Sequence, residues 1–120
     1  MNKYVSFWRL FLKTKNIKKA EELLKIFIQE NSSIFIKDEI NYSIYEKDNT
    51  VKAEFHCEHE ALNWEEVTFH LILTIQDSAS SLILSGHLDE EVNIFTNNVF
   101  GAKGSVSALN VLLSRDKKIL

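Results

Sequence analysis

The fold of this chain depends on residues 63–77, NWEEVTFHLILTIQD, because their pattern fits either a helix or a strand. One set of apolar residues alternates as in a strand, and a second set recurs at helical spacing. Asn63, followed three residues later by Glu66, supplies an N-cap and a capping-box partner. We therefore predict a helix over residues 64–76, with a strand as the alternative.

The segment before this one predicts a strand and then a helix. Residues 3–13 are rich in apolar and aromatic side chains at both odd and even positions, which indicates a strand buried on much of both faces. Apolar residues then recur at helical spacing over 17–28, and Asn16 is available as the N-cap. This amphipathic pattern predicts a helix that packs against the sheet.

Four further segments alternate in the manner of strands. Residues 39–45 and 51–59 flank KDN at 47–49, which has the composition of a hairpin turn. After the expected second helix, residues 82–86 and 92–95 predict two short strands.

The last apolar segment, residues 105–113, favours a strand because it contains valines and follows two glycines, although its spacing would also fit a helix. The predicted order is β-α-β-β-α-β with one or two extra strands at the C-terminal side. This order predicts an α+β, ferredoxin-like antiparallel sheet with both helices on one face. A shared fold of this kind does not specify an activity.

Length and composition predict one globular domain over residues 1–120. The chain is 45% hydrophobic and contains a single cysteine, so it cannot form an internal disulfide, and a reducing cytoplasmic location is expected. The N-terminal MNKYVSFWRLFLKTK is too short and too interrupted by polar residues for a signal peptide or a membrane span. We expect no association with a membrane.

The charge is unevenly distributed along the chain although the net charge is only -3. Residues 1–52 carry ten Lys/Arg and seven Asp/Glu, residues 53–102 carry no Lys/Arg and nine Asp/Glu, and residues 103–120 carry four and one. If the middle segment folds into one layer, it forms a negative surface that attracts basic proteins and repels phosphate backbones. A solvated acidic surface that only confers solubility is the alternative.

The segment FHCEHE at residues 55–60 combines two histidines, a thiol and two carboxylates. Alternation along a strand divides these side chains into two sets, His56, Glu58 and Glu60 on one side and Cys57 and His59 on the other. A zinc site would need a third or fourth ligand from elsewhere, and no helical H-E-x-x-H or paired-cysteine pattern is present. We predict no metal site and no cofactor.

Two other chemical interpretations of the sequence are weak. Cys57 with His59 could act as a nucleophile and base, but Cys57 continues an apolar row, which favours a buried structural thiol. GAKGS at 101–105 lacks the length and the Lys-Ser/Thr pair of a phosphate-binding loop and is more typical of a turn. We predict no catalytic residue.

A basic cluster near the N-terminus could suggest RNA binding. It comprises Lys13, Lys15, Lys18 and Lys19 and lies near the aromatic residues Trp8 and Phe11. The aromatic and basic pattern that RNA-binding domains of this fold require is missing, so no nucleic acid is expected as a partner.

The segment EEVTFHLILTIQDSASSLILSGHLDEE at residues 65–91 resembles small bacterial immunity proteins. These proteins are the antidotes encoded beside polymorphic toxins and contact-dependent growth-inhibition toxins. The resemblance implies a cytoplasmic, non-enzymatic protein that binds one toxin domain, often a nuclease, and blocks its active site. It carries over no binding residue by position, because immunity proteins have many unrelated folds.

The charge pattern agrees with that implication, since nucleases bind phosphate and tend to be basic, and an acidic inhibitor gains association rate and specificity. The predicted partner-binding residues are Asp89, Glu90, Glu91, Glu54, Glu58 and Glu60. The alternative function is a small-molecule or metal-binding domain, or a minor enzyme, that uses His56, Glu58 or His87 in a cleft.

Overall fold

The computed structural model describes residues 1–31, 33–46 and 49–115. Its elements in chain order are β1 (Asn2–Leu12), α1 (Ile17–Glu30), β2 (Asn41–Tyr45), β3 (Thr50–Ala61), α2 (Trp64–Gln76), β4 (Ala79–Ser80), β5 (Ile83–Ser85), β6 (Glu91–Thr96), β7 (Asn98–Val99), α3 (Gly101–Gly104) and β8 (Val106–Ser114). Most of the predicted KDN turn, residues 47 and 48, lies outside the described residues. None of the helices in the described ranges has both the length and the hydrophobicity needed to cross a bilayer.

The strand order corrects the ferredoxin-like prediction. Six antiparallel strands form one sheet in the order β2-β3-β1-β8-β6-β5, and β4 pairs with β7 in a separate two-stranded sheet. The predicted arrangement required the strand after the second helix to join the central strands, but β8, the last strand, pairs with β1, and β6 and β5 lie outside it. The coarser prediction of an α+β protein built on an antiparallel sheet is confirmed.

One face of the sheet is buried and the other is partly open. The even-numbered residues of β1 from Tyr4 to Leu12 are buried, whereas the odd-numbered residues from Val5 to Phe11 keep intermediate exposure. The same alternation continues on β3 and β8 because both pair with β1 in register. The prediction that β1 is buried on much of both faces is therefore confirmed in full for one face only: the helices cover the even-numbered side chains, and the half-buried odd-numbered side chains form the open face.

Both predicted helices are confirmed, together with their N-caps. Asn16 Oδ1 accepts a hydrogen bond from Lys19 N at 3.0 Å at the start of α1. Asn63 Oδ1 accepts one from Glu66 N at 2.9 Å at the start of α2, while Glu66 Oε2 accepts one from Leu62 N at 3.1 Å. These bonds satisfy backbone N–H groups at the helix starts, which in a strand would have bonded to a neighbouring strand. The ambiguous segment 64–76 is therefore helical, with a buried stripe of Trp64, Val67, Leu71 and Ile75.

The glycine-containing segment before β8 forms a turn, as its composition indicated. Ala102, Lys103 and Gly104 all have positive φ angles, so α3 is a left-handed turn rather than a continuing helix. Glu30 Oε1 accepts a hydrogen bond from Ala102 N at 2.5 Å, and Ser105 Oγ donates one to Ala102 O at 2.6 Å. The Glu30 carboxylate thus accepts a hydrogen bond from the Ala102 N–H, the backbone donor that a bound phosphate would have needed.

The left-handed turn packs closely on the loop after α2, and we predict that Gly101→Ala destabilises the fold. A Cβ atom at residue 101 would lie 2.8 Å from Ser78 Cβ and 2.9 Å from Ser78 Oγ. Ser78 O also accepts hydrogen bonds from Phe100 N and Gly101 N, which prevents the two segments from separating. We expect a loss of about 1–3 kcal/mol in the free energy of unfolding, measured by urea denaturation.

The matched control is Gly104→Asn. Gly104 has φ +74° but no atom within 4 Å of the position of a Cβ, and asparagine tolerates this left-handed region. Equal stability losses at the two glycines would contradict the steric explanation for Gly101.

Candidate functional site

The turn between β5 and β6 is attached to the start of α2. Trp64 Nε1 donates a hydrogen bond to Leu88 O at 2.8 Å, and Trp64 itself is buried. Asp89 and Glu90, which follow directly, are exposed, as is Glu65 on the first turn of α2. This hydrogen bond therefore joins two acidic segments that are about 25 residues apart in the chain and lie at the same end of the molecule.

The end of the β1–β3 ladder and the start of β6 place further carboxylates at this end of the molecule. The ladder between β1 and β3 ends where Asn2 pairs with Ala61, only three residues before α2 begins at Trp64. Glu58 pairs with Val5 at this end of the sheet, while Glu91 pairs with Ser114 three strands away. Strands lie about 4.8 Å apart, so the backbones of these two residues lie roughly 14 Å apart across the sheet.

We call this region the acidic end, and it comprises Glu58, Glu60, Glu65, Glu66, Asp89, Glu90 and Glu91. Two cationic side chains lie beside these carboxylates. Lys3 stands opposite Glu60 in the ladder, and Arg115 donates from Nη1 to the Asp89 carbonyl oxygen at 3.1 Å. Within residues 1–31, 33–46 and 49–115, the seven carboxylates outnumber these two cationic side chains, so the described part of the acidic end carries a net negative charge.

Glu54 does not belong to the acidic end. It lies four residues before Glu58 on β3, and its carboxylate is 3.1 Å from Arg9 Nε and 3.6 Å from Lys52 Nζ. These two bases neutralise Glu54 within the open face. Five of the six carboxylates predicted as a partner surface therefore gather at one end, and Glu54 is engaged in an internal ion-pair network.

The basic cluster lies at the opposite end of β1. Lys13, Lys15, Lys18 and Lys19 follow the last residue of that strand, which at 3.3 Å per residue is roughly 33 Å from its first. Trp8 is buried with 1% of its surface exposed and stacks on Phe55 with ring centroids 5.9 Å apart. Trp8 is therefore unable to stack on a nucleic-acid base.

A cleft of about 390 Å³ opens beside the acidic end, between the end of β3, one side of α2 and the chain that follows α1. It is lined by Ser33, Phe35, Glu58, His59, Glu60, Val67, His70, Leu71 and Thr74. The sequence indicated Glu58 and Glu60 as binding residues, but it gave no signal for a cleft wall from α2. Only the packing of α2 against β3 brings His59 and His70 to one cavity.

His59 is held by a chain of hydrogen bonds that begins in the core. Trp8 Nε1 donates to Ser6 Oγ at 2.7 Å, and Ser6 Oγ lies 2.6 Å from His59 Nε2. Since Ser6 already accepts from Trp8, the arrangement that uses its own hydrogen has it donate to His59 Nε2. Burial lowers the pKa of His59 to about 4, which keeps the ring neutral and suits it to accept this bond.

The alternation predicted for FHCEHE is confirmed. Cys57 is fully buried, and burial, with a smaller contribution from Asp38, raises the pKa of its thiol to about 12. His56 lies on the open face, 3.6 Å from an Asp38 carboxylate oxygen and 5.1 Å from the Phe7 ring centroid. Cys57 is thus a structural thiol, as the sequence indicated.

The residues of the alternative hypothesis do not share a cleft. His56 faces the open side of the sheet near β2, Glu58 lies at the rim of the cleft described above, and His87 is exposed in the β5–β6 turn. Within residues 1–31, 33–46 and 49–115, no group of three or more His, Cys, Asp and Glu side chains is arranged to hold a metal ion.

Comparison of the chain with protein-family models, with curated proteins and with solved structures finds no match. The fold and the position of charged and apolar groups are therefore the observations from which function has to be inferred.

The buried histidine predicts a pH dependence of stability. The pKa of His59 is lowered from 6.5 to about 4 in the folded state, so the unfolded chain binds more protons between these two values. We expect this contribution to be fully present above pH 6.5 and to be lost as the pH falls towards 4, by roughly 3 kcal/mol at most. The measurement is the free energy of unfolding by urea across this pH range.

His59→Gln tests the assignment and His87→Gln is its control. The first variant removes the buried titrating ring, and its free energy of unfolding should depend less steeply on pH between 6.5 and 4 than that of the wild type. The second removes an exposed ring and should keep the wild-type slope. An unchanged slope in His59→Gln would rule out His59 as the source.

Proposed function

We propose that this chain is an immunity-type protein that binds one basic toxin domain through its acidic end and neutralises it, without catalysing a reaction itself. The single observation that carries the proposal is the concentration of carboxylates at the acidic end, where the β1–β3 ladder places Glu58 and Glu60 and the Trp64–Leu88 hydrogen bond joins α2 to the β5–β6 turn. The resemblance of residues 65–91 to bacterial immunity proteins supports it, since this segment contains Leu88, the acceptor of that bond, and the acidic residues Asp89, Glu90 and Glu91.

Electrostatic complementarity is the first physical argument. A nuclease domain must attract phosphate, so the surface around its active site is basic, and a protein with a concentrated negative end competes for the same surface. Such charge complementarity raises the association rate and discriminates against wrong partners. The basic cluster after β1, roughly 33 Å away along the strand, gives the chain a charge asymmetry that favours docking by its acidic end.

Exposed apolar side chains are the second argument. Leu62 and Phe69 have exposed fractions of 66% and 60%, and Leu88, whose carbonyl oxygen accepts from Trp64, is also exposed. Leu62 and Leu88 therefore lie close to Trp64 and among the carboxylates of the acidic end. Stable protein interfaces combine an apolar centre with a polar rim, and this arrangement provides both.

A small-molecule binding function is the second candidate, and the cleft of about 390 Å³ favours it. Its walls combine apolar side chains with His59, His70 and two carboxylates, as ligand pockets often do. Ligand that co-purifies with the chain and is lost in a His70→Ala variant would support this function instead.

The partner is identified by co-producing the chain with the toxin domain encoded beside it. The proposal expects the two proteins to co-purify and the chain to restore growth of cells that produce the toxin domain. Growth restoration without a complex, or a complex whose affinity is insensitive to salt, would contradict neutralisation by an acidic surface.

Charge reversal at the β5–β6 turn tests which surface binds. Asp89→Lys, Glu90→Lys and Glu91→Lys together should weaken the affinity for the toxin domain about tenfold or more and flatten its dependence on NaCl concentration, measured by calorimetry. The control reverses three exposed carboxylates away from the acidic end, Glu21, Glu22 and Glu46. Equal effects of the two triple variants would show that net charge, and not this surface, drives binding.

A further inference from the structure

The edge of β3 is covered only in part. On the side away from β1, β2 pairs with residues 50–54, and an isolated bridge joins Ile36 to Cys57. Lys37 N donates to His56 O at 2.8 Å, and Glu58 N donates to Phe35 O at 3.0 Å. Among the described residues, no strand pairs with residues 59–61 on this side, so the end of this edge has no strand neighbour beyond the Glu58–Phe35 hydrogen bond.

The open part of the edge presents backbone groups to the cleft. In a strand, the N–H and C=O of one residue point to the same side, and every second residue repeats this direction. Because Glu58 N points away from β1 towards Phe35, the C=O of Glu58 and the N–H of Glu60 also point away from β1. Glu58 and Glu60 both line the cleft, which therefore contains a donor and an acceptor at the spacing of a β-ladder.

The side chains at this edge alternate between two environments. Glu58 and Glu60 lie on the open face of the sheet, opposite Val5 and Lys3 of β1. His59 lies on the other face, towards α2, whose Val67 and Leu71 line the same cleft. A strand added here would meet carboxylates at one set of alternate positions and an apolar wall at the other.

We propose that an extended segment of the basic partner adds to this edge as a further strand, with basic side chains beside Glu58 and Glu60 and an apolar side chain between them that faces Val67 and Leu71. This inference rests on the proposed function, because it names how the acidic end holds a basic partner. Backbone bonds to an exposed sheet edge provide affinity in such complexes, and alternate side-chain positions provide specificity.

The charges at the edge argue for a different protein rather than a second copy of this chain. A second copy pairing at the same edge would place its own Glu58 and Glu60 beside those of the first, and like charges directly opposite are destabilising. The same carboxylates also protect the edge from self-association. A segment with lysine or arginine at alternate positions removes this repulsion and satisfies the open backbone groups.

The probe is a peptide with Lys-Val-Lys-Val-Lys at its centre and Gly-Ser at each end. Its control contains the same residues in the order Lys-Lys-Lys-Val-Val, so both peptides have equal charge and equal hydrophobicity. We expect the alternating peptide to bind at least about tenfold more tightly than the control, because only it matches the period of the edge. Binding is measured by titration with NMR detection of the protein amides.

Amide exchange locates the bound peptide on the wild-type chain. We expect the Glu60 amide proton to exchange at least about tenfold more slowly with the alternating peptide bound, because it gains a backbone acceptor. The same peptide with methylated backbone nitrogens at alternate positions keeps its charge but lacks donors for Glu58 O, and it should bind no better than the control. Equal affinity of the methylated and unmethylated peptides would overturn strand addition.

Two substitutions separate the backbone contribution from charge. Glu60→Gln keeps the backbone N–H and should weaken binding of the alternating peptide only partly, with a smaller salt dependence. Glu60→Pro removes an N–H that points away from β1 and should abolish the preference for the alternating peptide. If Glu60→Pro does not fold, the methylated peptide on the wild-type chain decides the question.

The outcomes distinguish this inference from the proposed function. If both peptides bind equally and the amide shifts fall on residues 89–91, strand addition is wrong, while an acidic surface that binds a basic partner remains. If toxin binding is also unaffected by charge reversal at 89–91, the proposed function is wrong as well. A preference for the alternating peptide with a protected Glu60 amide supports both.

Discussion

The antiparallel ladder between β1 and β3 is the constraint on which the rest of the structure depends. It runs from the Asn2–Ala61 pair to the Leu12–Val51 pair, with β1 as an interior strand between β3 and β8. Register in a ladder decides which face every side chain occupies. It therefore places Cys57 and Phe55 in the core and His56 and Glu58 on the open face. It also determines where β3 extends beyond β2, its outer neighbour.

The negative surface is a product of topology as much as of composition. The base-free middle of the chain supplies the carboxylates, but they gather only where the end of β3, the start of α2 and the β5–β6 turn meet. Glu54 shows that a carboxylate in this base-free segment does not necessarily contribute to the acidic end. It lies four residues before Glu58 on β3, where Arg9 of β1 and Lys52 of β3 neutralise it, because Arg9 pairs with Glu54 across the ladder.

The cleft contains a buried histidine and the end of a sheet edge, and both features lower stability unless other groups compensate for them. His59, which lines the cleft, is hydrogen-bonded to Ser6, and Ser6 accepts a hydrogen bond from Trp8 in the core. The buried ring of His59 therefore has a hydrogen-bond partner. The edge beside it has no strand neighbour at residues 59–61 within the part of the chain that the structure describes, and such sheet edges are protected in most proteins by charge or by a covering segment. Here Glu58 and Glu60 supply such charge, and Phe35 covers part of the edge.

The sequence by itself predicted the longer elements and their local chemistry: both helices with their asparagine caps, the turn at 101–105, and the division of residues 55–60 between two faces. It favoured a helix at 64–76 and a strand at 105–113, and the structure confirmed both over their alternatives. These follow from periodicity and from hydrogen bonds between residues close in the chain. Only the tertiary structure decided that β8 rather than the strand after α2 pairs with β1, that Glu54 is neutralised, and that α2 and β3 enclose a cleft. Those outcomes depend on competition among long-range pairings of similar apolar strands, which local patterns do not rank.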